Sequence, residues 1–177
     1  GQLITNTYVG NIILDEQQNA LSNITDDILK IAVVNRYYDA PIAVAFIKNF
    51  GLKKGALASS VAHDSHNIIV VGVDDESMCK AVNAIIVEKG GLSVTDGNIT
   101  NVLPLPIAGL MSTESCEIVA EKYTALVKAA KEIGSTLHSP FMSLSFMALL
   151  VIPQLKLSDK GLFDGSTFEF CDLSVDV

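Results

Sequence analysis

The stretch Ala56-Leu-Ala-Ser-Ser-Val-Ala-His-Asp-Ser-His-Asn-Ile-Ile-Val-Val-Gly-Val73 decides how this chain folds. Residues 56–62 and 67–73 are apolar without alternation, the pattern of strands buried on both faces. The two runs are separated by His63-Asp64-Ser65-His66, which places two of the chain's three histidines at a strand junction around a carboxylate. Working outward, residues 28–35 and 42–50 are rich in Val, Ile and Ala and read as two further strands around the loop Tyr37-Tyr-Asp-Ala-Pro41. Gly51-Leu-Lys-Lys-Gly55 is a turn.

Helices follow the strands. Asp74-Asp-Glu opens a segment with Met78, Ala81, Val82, Ile85 and Ile86 at helical spacing, and Lys89-Gly90 closes it. Residues 92–95 and 99–103 flank Asp96-Gly97-Asn98, a hairpin signal. A second helix is expected over 113–133, opened by an imperfect capping box at Thr113 and stopped by Gly134. A third is expected from Pro140 to residue 149, before Pro153. Residues 155–164 read as a strand and a turn. Strands followed by helix, hairpin and helix fit an α+β layout within the α/β class: one domain with a mixed β-sheet and two to three helices packed against it. Residues 1–27 are polar and read as a joint or weak hairpin, so the domain proper is set at 28–177.

Composition narrows the function classes. The 177 residues carry 12 Lys+Arg against 20 Asp+Glu, a formal charge of −8 that would repel a phosphate backbone, so nucleic acid is not expected as a partner. Hydrophobic residues reach 49% and mean hydropathy is +0.40, high enough that some apolar surface is expected to face a partner. The longest apolar-rich run, Met142 to Pro153, is too short for a bilayer, so no membrane association is expected. Cys79, Cys116 and Cys171 have no C-x-x-C spacing, which argues against a disulfide framework or zinc ribbon and fits a cytoplasmic location.

The candidate site is the stretch between the two buried strands. His63 and His66, at spacing i, i+3, share a face only where the chain turns, and Asp64, Ser65 and Asn67 favour a turn there. Three readings stay open: a polar cluster capping a strand end, a substrate-side or interface role, or a metal site lacking its third ligand. Ser59, Ser60 and Ser65 lie near histidines, yet no G-x-S-x-G elbow surrounds them. The Gly51–Gly55 turn lacks the P-loop and Rossmann spacings. Asp74-Asp75-Glu76 is explained by a helix start.

Four segments carry a resemblance to a known family. Phe50-Gly-Leu-Lys-Lys-Gly-Ala-Leu-Ala-Ser-Ser-Val-Ala-His-Asp-Ser-His-Asn-Ile-Ile, Pro104-Leu-Pro-Ile-Ala-Gly-Leu-Met-Ser, Ser139-Pro-Phe-Met-Ser-Leu-Ser-Phe and Val151-Ile-Pro-Gln-Leu-Lys-Leu-Ser-Asp-Lys-Gly-Leu resemble, in this order, the C-terminal domain of prokaryotic adenine deaminases. The resemblance implies a larger amidohydrolase-type enzyme that converts adenine and water to hypoxanthine and ammonia. It also implies a barrel domain holding manganese or iron, a cation that lowers the pKa of its bound water. The barrel's His-x-His motif is missing here, because no two histidines are separated by one residue. The chain is therefore expected to be a portion of that enzyme, inactive alone, with no metal of its own and with the barrel, adenine and further copies of itself as partners. His63, Asp64 and His66 are the expected catalytic support, and Ser65 and Asn67 the expected substrate contacts. A purely structural or oligomerisation domain, or a small-molecule binding module, is the alternative.

Overall fold

The computed structural model describes residues 3–174. Its centre is a six-stranded sheet in the order β4-β3-β6-β5-β7-β8. The strands are β3 (Ile28–Val34), β4 (Ala43–Lys48), β5 (Ala56–Ser59), β6 (Ile68–Gly72), β7 (Gly91–Thr95) and β8 (Thr100–Pro104). Before them, β1 (Ile13–Leu14) and β2 (Ala20–Leu21) pair as a short antiparallel hairpin. Three helices, α1 (Asp75–Val87), α2 (Cys116–Glu132) and α3 (Pro140–Phe146), are followed by a small sheet of β9 (Leu155–Ser158), β10 (Gly161–Asp164) and β11 (Glu169–Phe170). The α+β layout and the three helices agree with the sequence reading.

The direction of the strands does not. Every pairing in the central sheet is antiparallel, where a mixed sheet is expected from the sequence. Unbroken apolar runs report burial on both faces, and helices provide that here without any parallel pair. Ala32, Ala56, Ala58, Ile68 and Val70 face α1, while Leu57, Ile69, Val71, Leu92 and Val94 join Leu126, Ala130, Phe141 and Leu144 of α2 and α3 on the other side. The alanines let α1 lie close. Gly72 completes the fit, since a Cβ there would sit 2.5 Å from Met78 Cγ.

Local chemistry sets the element ends. Asp74 caps α1 by accepting from Ser77 N at 2.7 Å. The second helix begins at Cys116, later than Thr113, because Ser115 is its N-cap and no capping-box bond forms there. Lys156 of β9 is 2% exposed, and its ammonium donates to Leu3 O and Thr5 Oγ1, each at 3.0 Å. Burial without a carboxylate lowers its pKa to about 8. The segment it holds also bonds to residues 153–155 through Thr5.

Candidate functional site

All the antiparallel connections of one kind emerge at one end of the central sheet. After β3 comes the loop 35–42, after β5 the loop 60–67, before β7 the residues Lys89 and Gly90, and after β8 the loop 105–112. Three of the segments that carry the family resemblance meet here. His63 N donates to Ser145 O of α3 at 3.1 Å, and Ser60 Oγ donates to Gly109 O at 2.6 Å.

The loop 60–67 does turn, with His66 in the left-handed region at φ +54°. His66 N donates to Ala62 O at 2.7 Å, which closes the turn. The two imidazoles therefore come together, edge to face with ring centres 5.9 Å apart. The His63 ring also packs against Phe146 at 4.7 Å. Asp64 and Ser65 stand exposed at the tip, while Asn67 is 2% exposed and its Oδ1 accepts from Arg36 N at 3.3 Å.

Arg36 and Tyr37 brace this end from the neighbouring loop. The Arg36 guanidinium donates to Ala108 O at 2.5 Å and lies over the Tyr37 ring, 5.0 Å from its centre. Tyr37 Oη in turn donates to Ser65 O at 2.7 Å. Gly109 makes the contact possible, since a Cβ there would lie 2.1 Å from an Arg36 amino group. The sequence reading missed both residues, although Arg36 is the sole arginine of the chain and directly follows a buried strand. An arginine at such a place is a usable signal, because its fork fixes geometry that lysine cannot.

Polar groups at this end are incompletely satisfied. His66 Nδ1 and Arg36 Nε are buried without a hydrogen-bond partner, two of the three such side-chain atoms among the described residues. Native structures leave few such groups unpaired. The His66 pKa lies below the usual imidazole value, first because burial penalises the imidazolium and then because His63 and Arg36 disfavour a further positive charge beside them; Asp64 opposes the shift only weakly. A neutral imidazole can accept a proton or donate one from its other nitrogen.

The serines behave differently. Ser59 and Ser60 are fully buried and spend their hydroxyls on the backbone of Val61, Gly91 and Gly109. They serve as braces for the loop, which accords with the missing nucleophile elbow. His138 lies apart from the pair, exposed and beside Ser139 Oγ at 3.0 Å. Among the described residues no group of three His, Cys, Asp or Glu side chains could hold a metal ion. Two imidazoles alone do not meet the requirements of a catalytic metal centre. Among the same residues no helix is long and apolar enough to cross a membrane, and all three cysteines are free and exposed.

Comparison with known proteins adds a family. The pattern described as adenine deaminase C-terminal domain matches residues 2–169. A protein named adenine deaminase from Salinibacter ruber is 58% identical over 152 residues, which is 85% of this chain and 28% of that protein. Its namesake from Methanosarcina mazei is 54% identical over 161 residues, 91% of this chain and 29% of that protein. The one from Borreliella burgdorferi is 56% identical over 153 residues, covering 85% and 28%. The chain thus spans less than a third of the length of the curated relatives it matches.

Proposed function

Because the chain belongs to the adenine deaminase C-terminal domain family, we propose that it is the C-terminal portion of an enzyme that hydrolyses adenine to hypoxanthine and ammonia. Its histidine-bearing sheet end, in this reading, faces the reaction centre supplied by the remainder of the polypeptide. The observation that carries the reading is the pair of buried, unpartnered polar atoms, His66 Nδ1 and Arg36 Nε, at the end where three family segments meet. Leaving such atoms unpaired costs about 1–3 kcal/mol each, a cost that a bound partner would offset.

Each residue has a part in this proposal. His66, kept neutral by its surroundings, exchanges a hydrogen bond or a proton with the purine, and His63 supports it across the 5.9 Å between the rings. Asp64 and Ser65 at the exposed tip reach toward the partner surface, and Asn67 with Arg36 holds the loop in register. In this reading the divalent ion of the reaction, manganese or iron, belongs to the remainder of the polypeptide. Residues 1–27 act as the joint and 28–177 as the domain. Free, exposed cysteines suit a reducing cytoplasm, and the exposed apolar side chains suit both the barrel and an assembly of several copies.

Turnover of adenine by the longer enzyme, with His63→Ala and His66→Ala tested singly, checks the proposal. Loss of about a hundredfold in kcat/KM, roughly 2.7 kcal/mol of barrier, is expected for His66→Ala, and a smaller loss for His63→Ala. Unchanged turnover in both would leave the domain a scaffold. The 177-residue chain alone is expected to show none.

A further inference from the structure

A cleft lies beside the histidine turn and shares Ser60 with its loop. The cleft, of roughly 520 Å3, runs between the loop after β3 and the C-terminal end of α1. Its floor is apolar, made by Val34, Ile68, Ile85 and Ile86, and its walls carry Arg36, Tyr37, Tyr38 and Lys89. That volume is within the usual range for small-molecule sites, which combine an apolar lining with a few polar groups.

The lining carries two cations. The formal charge is −8, yet no carboxylate lies within 4.0 Å of either Arg36 or Lys89 among the described residues. Two uncompensated cations on one cleft create a local positive potential that concentrates anions. The aromatic residues are also unspent: Tyr37 and Tyr38 are 60% and 61% exposed, although large apolar rings normally bury most of their area. Tyr37 has one face against Arg36, which leaves Tyr38 as the open platform.

We propose that this cleft binds a nucleoside monophosphate, its base lying on the Ile86 and Tyr38 side and its phosphate toward Lys89. A base has a flat apolar face for the floor and tyrosine, and the phosphate supplies the charge that the two cations lack. The volume admits both parts at once, whereas a lone inorganic anion would leave the apolar floor wet. The Arg36 guanidinium, already committed to Ala108 O and the Tyr37 ring, contributes charge and fixes the wall in place. The cleft shares Arg36 and Ser60 with the histidine end, but none of its lining residues is a histidine of the turn.

Calorimetric titration of adenosine monophosphate into the 177-residue chain, with adenosine and inorganic phosphate in parallel, tests the assignment. Saturable binding of the monophosphate, at least about tenfold tighter than either half and weakening as salt rises, is the expected result. Lys89 has a left-handed backbone at φ +61°, so Lys89→Asn removes the charge in a residue that tolerates that conformation. This variant and Tyr38→Ser, both at exposed positions, are each expected to weaken binding about tenfold, while His63→Ala leaves it unchanged. Absence of saturable binding, equal affinity for phosphate alone, or full affinity in both Lys89→Asn and Tyr38→Ser would overturn it.

Discussion

The two ends of the central sheet are built from the same strands and satisfy their polar groups to different degrees. At the end away from the histidines, the turns are closed on themselves. Asp96 Oδ1 accepts from Asn98 N and Ile99 N at 2.9 Å, Asp27 Oδ1 accepts from Gly51 N at 2.9 Å, and Asp74 caps α1. Lys54 pairs with Asp96. At the histidine end, His66 Nδ1 and Arg36 Nε are two of the three buried side-chain atoms without a partner among the described residues; the third, Ser135 Oγ, lies beside the Gly51 turn of the other end. A closed end stabilises the fold and an open one leaves interaction capacity for something else.

Breaking the closed end should therefore cost stability above all. Gly55 has φ +72°, and a Cβ there would lie 1.9 Å from Thr95 O, a backbone atom that cannot swing away. Gly55→Ala combines left-handed strain with displacement of the β5–β7 pairing, and a loss of about 3 kcal/mol or more is expected. Gly97, on the same end with φ +98°, has nothing nearer than Ser77 Oγ at 3.9 Å. Gly97→Ala should cost only about 1 kcal/mol. Chemical denaturation of the two variants checks the contrast, and equal losses would mean that strain alone, without the clash, governs this end.

The histidine end should respond to pH rather than to shape. The His66 pKa is lowered in the folded chain, so the unfolded state binds the proton more tightly. Stability should then be constant above the ordinary imidazole value near 6.5 and fall as pH drops from there to the folded pKa. His66→Gln removes that slope, so variant and parent should converge at pH 5 relative to their difference at pH 7. Following the His66 ring protons by NMR places its titration directly, and a midpoint above 6.5 would break the comparison between the ends.

Much of this arrangement is legible in the sequence, and the reasons differ by element. Residues 56–62 and 67–73 announce doubly buried strands because burial on both faces removes polar alternation. Asp74 and Lys89-Gly90 announce the ends of α1 because capping is local. Strand direction is not local: the β5–β7 pairing depends on how the chain crosses over α1, and no residue in either strand encodes it. The same holds for the site. The turn at His63–His66 is visible in its polar residues, whereas the brace from Arg36 to Ala108 joins positions 72 apart and appears only once β3 and β8 end on the same side.

The smallest expected effect tests the closed end at the half-buried Asp96. The Asp96 carboxyl is held at about 2, first by the backbone N–H of Ile99 and then by that of Asn98. A folded pKa below the ordinary value near 3.8 means that Asp96 contributes its stability above that value and loses it as pH falls toward about 2. Asp96→Asn keeps the shape and one acceptor oxygen but removes the charge, so the melting temperature should drop slightly at pH 7 and not at all near pH 2. Because the loop lies at the sheet end opposite His66, the same substitution should leave adenine turnover by the longer enzyme untouched. A loss of turnover there would mean that the two ends are coupled through β7, and that the division between a stabilising end and a working end is wrong.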